Sequence, residues 1–132
     1  MRIEHRAPSV DEFRALAESV DWLDHFDWST IGSALEASLF AVVAVADNRV
    51  VGAARVVGDG VRYFYVQDVM VDPSHSDDGI ATQLTQTLLQ WIESTAAPKA
   101  FVGLFASPEA EGVYDELGFT TDDMTGMHRL LQ

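Results

Sequence analysis

The chain has 132 residues, 48% of them hydrophobic and none of them cysteine, and its 21 Asp and Glu outnumber eight Lys and Arg to leave a formal net charge of -13. A length of this order supports one core without disulfides, and the negative charge opposes binding to nucleic-acid phosphates or to anionic lipid. Because no apolar run is long enough for a membrane span and the N-terminus has no signal-peptide pattern, we expect one cytoplasmic domain over residues 1–132, without nucleic-acid or membrane partners.

The N-terminal third predicts a short strand and two helices. Residues 2–6 favour a strand, and Ser9 suits the N-cap of a helix whose apolar stripe runs from Phe13 to Val20. A second helix is expected from about Ser29, because apolar residues recur at helical spacing as far as Leu39. The aromatic residues at positions 22–28 are interpreted either as core or as the rim of a pocket.

Three antiparallel strands and a long helix are predicted next. Residues 39–46 form a continuous apolar run, Asp47-Asn48 is a hairpin turn, and residues 49–57 continue as the second strand. A glycine-rich turn at positions 58–60 precedes a third strand over residues 61–71. Apolar residues then recur with the helical period and predict a helix over about residues 79–94.

The remaining elements complete a mixed fold. Residues 100–106 have the pattern of a buried strand, and because they follow a strand and a helix, we expect a βαβ crossover with parallel pairing. Ser107-Pro108 is expected to begin a short helix that stops at Gly118, and residues 127–131 are expected to form a last strand. The predicted fold class is therefore α+β, with a mostly antiparallel central sheet, one parallel crossover and flanking helices.

The junction between the third strand and the long helix carries the first functional signal. Backbone N–H groups at a helix start lack intrahelical partners and suit a pyrophosphate, while Gly79 and Ala81 keep side chains out of the way. The segment Ser76-Asp77-Asp78-Gly79-Ile80-Ala81 resembles the acetyl-CoA loop of the GCN5-related N-acetyltransferase (GNAT) family. It matches two of the three defining positions of the family pattern, Gln/Arg-x-x-Gly-x-Gly/Ala.

A second segment resembles the same family. Residues 110–119 fit its Ala-x-x-x-Tyr-x-x-x-Gly-Phe ending, with the tyrosine at position 114. The resemblance covers essentially the whole chain and implies a GNAT-like fold and an acetyl-CoA-dependent N-acetyltransferase acting on a primary amine of a small molecule or peptide. In the family this tyrosine commonly acts as general acid. Tyr114 is therefore the candidate proton donor to the leaving thiolate, with simple packing on its helix as the alternative.

The resemblance also implies the other site residues. The third strand is expected to splay from the strand that begins near residue 100, so that its free backbone edge holds the pantetheine arm. Gln67 and Asp68, on opposite faces of the strand, are candidates for holding the amine or the water that deprotonates it. Asp68 is favoured, a buried structural role for it being the alternative. No metal site is expected. The expected cofactor contacts are Met70, Val71, Ser76, Asp77, Asp78, Gly79, Ile80, Ala81, Thr82 and Ser107.

Two segments depart from the family pattern, the loop before the long helix and position 107. Ser76, Asp77 and Asp78 stand where the family usually has Gln or Arg, a glycine and often a basic residue, so that two carboxylates flank the expected phosphate site. A carboxylate–phosphate pair at roughly 5 Å costs about 3 kcal/mol at an effective dielectric near 20. Ser107 replaces a frequent asparagine and is more simply an N-cap. The alternative to an enzyme is therefore a degenerate binding module that has lost its CoA affinity and engages a partner through residues 22–28.

The acidic composition has its own consequences. Thirteen Asp against eight Glu, and one Lys beside seven Arg, are similar to the composition of proteins from salt-loving organisms. High salt would also mute repulsion in the loop, because the screening length falls to about 3 Å at 1 M. An acidic surface favours a cationic amine as acceptor. A homodimer through the apolar strands and the final segment is compatible with the sequence.

Overall fold

The computed structural model describes residues 1–132, and five strands form one sheet in which their spatial order is their order along the chain. Neighbouring strands pair antiparallel, except that the fourth and fifth strands pair parallel. The predicted α+β fold with one parallel crossover is confirmed. The elements in chain order are β1 (Arg2–Glu4), α1 (Val10–Ser19), α2 (Ile31–Glu36), β2 (Phe40–Ala46), β3 (Arg49–Gly58), β4 (Tyr63–Val71), α3 (Ile80–Thr95), β5 (Phe101–Gly103) and α4 (Glu111–Glu116), with 3₁₀ turns at Leu23–His25, Pro73–His75 and Pro108–Ala110.

Alternation along β2 divides the core between the two faces of the sheet. Val42 and Ala44 belong to the cluster that contains the buried residues of α3. Val43 and Val45 belong to the cluster that contains the buried residues of α1 and α2. Because side chains of a strand alternate between faces, the continuous apolar run at positions 39–46 follows from burial on both sides.

Local signals at two element ends act as predicted. Ser9 and Glu12 form a capping box at the start of α1, in which Ser9 Oγ accepts from the Glu12 amide at 3.1 Å and Glu12 Oε1 accepts from the Ser9 amide at 2.8 Å. Asp47 and Asn48 adopt φ values of 53° and 61° between β2 and β3. Positive φ at both turn residues is the geometry of a two-residue hairpin.

The aromatic segment at positions 22–28 is mainly core. Phe26 and Trp28 contact Phe13 of α1 edge to face, with ring centroids 5.1 and 5.9 Å apart. Trp22 packs against the same cluster and also lines the cavity described below. Both interpretations made from the sequence therefore hold, each for different residues.

Several predicted boundaries are wrong. The second helix begins at Ile31 and ends at Glu36, whereas Leu39 lies beyond it and packs against the α3 side of the core. The third strand, β4, begins at Tyr63 rather than at residue 61. The Asp59 carboxylate accepts hydrogen bonds from the amides of residues 61, 62 and 63, and these bonds hold the preceding residues in a turn.

The C-terminal strand predictions are also corrected. Only Phe101–Gly103 of the expected strand pairs with β4, because the chain leaves the sheet after Gly103. Residues 127–131 form no strand, and Met127, Leu130 and Leu131 are 84–85% exposed. Their apolar composition predicted a strand, but no sheet edge pairs with them. None of the helices combines the length and the apolar character that a membrane crossing requires.

Candidate active site

The middle of β4 contains a bulge that directs two adjacent polar side chains into one cavity. Two residues of β4, Asp68 and Val69, oppose one residue of β3, Ala54. Asp68 has a φ of 54°, in the left-handed region that Asp tolerates better than most residues. Because the bulge interrupts the alternation of the strand, Gln67 and Asp68 both line the cavity. The prediction that they lie on opposite faces is therefore wrong.

The cavity of about 350 Å³ lies where β4 and β5 separate. Their last paired residues are Tyr65 and Gly103, and β4 continues to Val71 with no strand beside it on this edge. The expected splay is thus present, and it leaves backbone groups of β4 available to an extended ligand. The lining residues come from four segments: Trp22 after α1; Val66, Gln67, Asp68 and Val69 of β4; Leu104, Phe105, Ala106 and Ser107 after β5; and Ala110 and Tyr114 around α4.

An ion pair with Arg55 of β3 holds Asp68 in place. Asp68 Oδ2 accepts a hydrogen bond from Arg55 Nε at 2.7 Å, and the two side chains are only 17% and 16% exposed. Arg55 Nη1 also donates to the Ala34 carbonyl at 3.1 Å and to the Ser38 hydroxyl at 3.3 Å. Asp68 Oδ1 has no partner within the protein but keeps contact with solvent. The carboxylate therefore combines a structural bond with one acceptor atom that is free for a ligand.

The end of α4 fixes the position of Tyr114. The Phe119 amide donates to the Tyr114 carbonyl at 3.0 Å, and the Gly118 amide donates to the Asp115 carbonyl at 3.1 Å. Gly118 has a φ of 92°, so the chain leaves the helix through a left-handed glycine as predicted. The Phe119 ring then meets the Tyr114 ring edge to face at 6.0 Å. The Gly-Phe ending of the motif thus holds the tyrosine.

The ring of Tyr114 is buried, whereas its hydroxyl reaches solvent and has no partner within the protein. Tyr114 is 8% exposed and lines the cavity, and its hydroxyl makes no hydrogen bond within the protein although it retains contact with solvent. Burial raises the pKa of Tyr114 above the ordinary value for a phenol. The hydroxyl is therefore a neutral donor available to a ligand in the cavity.

The start of α3 presents unpaired backbone donors. The amides of Asp77, Gly79, Ile80, Ala81 and Thr82 donate to no acceptor in the protein. Gly79 precedes the helix with a φ of 70°, and a Cβ placed there would meet no atom within 4 Å. An open row of N–H groups at the N-terminus of a 16-residue helix is suited to a phosphate group.

The acidic residues before α3 differ in their partners. Asp78 Oδ2 lies 3.1 Å from His75 Nδ1, and His75 is the less exposed of the two. Asp72 accepts from the Ser74 amide at 2.9 Å and from Arg49 Nη1 at 2.8 Å. These contacts, the amide bond first, lower the pKa of Asp72 to about 2. The Asp77 carboxylate has no hydrogen bond and no ion pair, unlike those of Asp72 and Asp78.

Residues 24–129 match the model of a family described as acetyltransferase (GNAT) domain. The chain belongs to the GNAT family. A chloroplastic GCN5-related N-acetyltransferase 1 of Arabidopsis thaliana is 32% identical over 75 residues, which are 57% of this chain and 37% of the plant protein. The chain therefore spans well under half of that relative.

Solved structures share this GNAT fold. A GNAT-family acetyltransferase from Streptococcus pneumoniae superposes with a TM-score of 0.82 at 28% identity, over 99% of this chain and 98% of that chain. A protein of unknown function and probable acetyltransferase from meticillin-resistant Staphylococcus aureus gives a TM-score of 0.89 at 23% identity over 98% of both chains. An aminoglycoside 6'-N-acetyltransferase complexed with coenzyme A gives 0.59 at 19% identity, over 71% of this chain and 56% of that chain. The last two likenesses support the fold alone.

The structure of this GNAT protein distributes the predicted site residues over two places. Tyr114, Asp68 and Ser107 line the cavity, whereas Ser76, Asp77, Asp78 and Gly79 are exposed at the start of α3. Five further predicted contacts lie on β4 and in the first turn of α3, namely the half-buried Val71, Ala81 and Thr82 and the buried Met70 and Ile80, whose side chains belong to the core. Contact with a ligand through Met70 and Ile80 is therefore limited to their backbones.

Sequence reasoning missed some parts of the site. Ser107 takes the predicted N-cap position with Pro108 directly after it, but it begins a 3₁₀ turn that leads into α4, and its side chain makes no cap bond. Arg55 and Phe105 were not singled out. The position of Arg55 inside an otherwise apolar strand indicates a buried ion pair, since a charge needs a partner when it is buried. For Phe105, apolar sequence context gave no sign that the ring is 56% exposed.

Proposed function

We propose that this GNAT protein is an acetyl-CoA-dependent N-acetyltransferase that acetylates a primary amine of a small molecule or peptide. The observation that carries the proposal is the unpartnered hydroxyl of Tyr114 in the cavity between β4 and β5. Asp68 lines the same cavity and offers one free carboxylate oxygen. A proton donor and an acceptor for an amine therefore share a space that an extended ligand can reach along β4.

The proposed reaction forms a C–N bond and breaks the C–S bond of the thioester. The amine nitrogen attacks the carbonyl and releases its proton toward Asp68 Oδ1 or water, while Tyr114 donates a proton to the departing thiolate. Proton transfer from a phenol with a pKa near 10 to a thiolate whose acid has a pKa near 8.5 is uphill by about 2 kcal/mol. Burial of Tyr114 adds to that difference. We infer that its hydroxyl first stabilises the charge that develops on sulfur through a hydrogen bond and transfers its proton only as the thiolate departs.

The described residues fit acetyl-CoA. The five unpaired amides at the start of α3 suit the pyrophosphate, and Ser76 and the open glycine lie beside them. The free edge of β4 near Met70 and Val71 suits the amide groups of pantetheine. Ser107 lies in the cavity, where its hydroxyl is available to the acyl end.

The experiment is an assay of free thiol released from acetyl-CoA with a panel of primary amines. We expect Tyr114→Phe to lower kcat by about 100-fold, the lower end of what a positioned proton donor contributes, with the Kd for acetyl-CoA unchanged. Tyr63→Phe is the matched control, because Tyr63 is exposed at the opposite end of β4 and lies outside the cavity. Full turnover by a correctly folded Tyr114→Phe protein would contradict the acid role.

A second candidate function rests on Asp77. Its carboxylate has no ion-pair partner, and its own backbone amide belongs to the row of free amides, so its negative charge opposes a phosphate bound there. A degenerate module would show no acetyl-CoA binding by calorimetry at low or molar KCl while circular dichroism reports an intact fold. Binding that persists or tightens with salt supports the enzyme instead, because screening weakens the repulsion.

A further inference from the structure

We propose that the acceptor is a small amine with one cationic centre on an aromatic or otherwise apolar group, and that Trp22 and Phe105 select it. The inference rests on the proposed acetyltransferase function and names the substrate class of that site. It differs from the expectation drawn from net charge, which favours any cationic amine, polyamines included.

The walls of the cavity are the first argument. Most lining side chains are apolar, and two aromatic residues besides Tyr114 line the cavity from separate elements, Trp22 from the loop after α1 and Phe105 from the segment after β5. The Phe105 ring meets His128 edge to face at 5.8 Å, yet Phe105 remains 56% exposed, so apolar surface of the ring stays open. Apolar surface left open inside a concave site gains most from a ligand that buries it. A hydrophobic group on the acceptor meets that condition.

The charge balance of the cavity is the second argument. Asp68 is the single carboxylate in the lining, and its Oδ2 is paired with Arg55 at 2.7 Å. The other polar lining residues, Gln67, Ser107 and Tyr114, are neutral. One amine nitrogen can therefore meet Asp68 Oδ1, whereas a second ammonium would find no carboxylate and would lie near a guanidinium. Polyamines and aminoglycosides carry several such centres.

The size of the cavity is the third argument. A space of about 350 Å³ lies at the small end of the range for ligand sites and must also admit the acetyl end of the donor. It can hold an amine head group with one ring or short chain. Several linked sugar rings exceed it.

The test compares kcat/KM for four acceptors with saturating acetyl-CoA: 2-phenylethylamine, ethylamine, spermidine and kanamycin. We expect 2-phenylethylamine to exceed each of the others by about tenfold or more, which corresponds to the contribution of one apolar contact surface. Trp22→Ala and Phe105→Ala should each lower kcat/KM for 2-phenylethylamine about tenfold, mainly through KM, and should lower it several-fold less for ethylamine, which has no group to place against either ring. Phe101→Ala is the control, since Phe101 is 37% exposed but lies outside the cavity.

The outcomes separate the inference from the proposed function. Faster turnover of spermidine or kanamycin, equal losses for all amines in the Trp22 and Phe105 variants, or acetyl-CoA binding without turnover of 2-phenylethylamine would each overturn the inference. In those cases the calorimetric binding of acetyl-CoA leaves the proposed cofactor site standing. Absence of acetyl-CoA binding by the folded protein at both salt concentrations would refute the proposed function, and the inference with it.

Discussion

Replacement of Arg55 by alanine tests whether the ion pair with Asp68 holds the bulge of β4. The substitution removes the 2.7 Å bond to Asp68 and the bonds to the Ala34 carbonyl and the Ser38 hydroxyl. It leaves a carboxylate that is 17% exposed without a cation. Asp68 has a positive φ, so its side-chain bond also stabilises an uncommon backbone conformation.

The expected loss of stability follows from burial. Removal of one partner of a buried ion pair typically costs about 3–5 kcal/mol, and the residual exposure of both side chains favours about 3 kcal/mol. The lost bonds to Ala34 and Ser38 add about 1 kcal/mol. For a chain of this size the sum lowers Tm by roughly 15 °C. Asp68→Asn keeps an acceptor and a residue that tolerates positive φ, so we expect a loss of only about 1–2 kcal/mol.

Urea unfolding followed by circular dichroism measures these changes, with Arg49→Ala as the control. Arg49 also pairs with a carboxylate, that of Asp72 at 2.8 Å, but its side chain is 50% exposed, so we expect a loss below about 1 kcal/mol. The double variant Arg55→Ala/Asp68→Asn should be about 1 kcal/mol more stable than the sum of the single losses predicts. A loss of less than 1 kcal/mol in Arg55→Ala, or strict additivity in the double variant, would refute the reasoning.

Three further predictions concern titration and the loop before α3. The pKa of Asp72 is lowered from 3.8 to about 2. Its contribution to stability is therefore complete above the unfolded pKa and is lost as the pH falls toward the folded pKa. Urea unfolding should show that the free energy of unfolding falls by about 1 kcal/mol over this pH range in the wild type, and that Asp72→Asn removes this fall. Because burial raises the pKa of Tyr114, any decrease in kcat caused by its ionisation should begin above pH ~10 in a pH–rate profile. A decrease in kcat that begins at lower pH in the wild type and is absent from Tyr114→Phe would contradict this. His75→Ala removes the partner of the Asp78 carboxylate, and calorimetry at low salt should then give an acetyl-CoA affinity about threefold weaker. Adding Asp78→Asn to this variant should restore the affinity. An unchanged Kd in both variants would show that the His75 contact does not affect acetyl-CoA binding.

Features set by neighbouring residues were predictable from the sequence, and features set by distant pairing were not. The Asp47-Asn48 turn, the Ser9 cap and the start of α3 after Gly79 depend on residues within one turn. The bulge at Asp68 depends on register against β3 and on an arginine 13 positions away, neither of which a local pattern encodes. The strand predicted at residues 127–131 is wrong because apolar composition does not show whether a sheet edge is free to pair with it.

The ion pair between Arg55 and Asp68 also bears on the nucleophile. An alkylamine with a pKa near 10.4 must lose a proton before it attacks, which costs about 5 kcal/mol at pH 7. A cluster of carboxylates would bind the ammonium form and raise that cost, whereas a single carboxylate paired with a guanidinium at 2.7 Å does not. The acidic surface can therefore attract amines while the cavity favours their neutral form. We therefore expect Arg55→Ala, assayed well below its Tm, to lower kcat more at pH 7 than at pH 9. At the higher pH more of the amine is already neutral, so the guanidinium is needed less to offset the charge of Asp68. An equal loss at both values would leave Arg55 with a purely structural role.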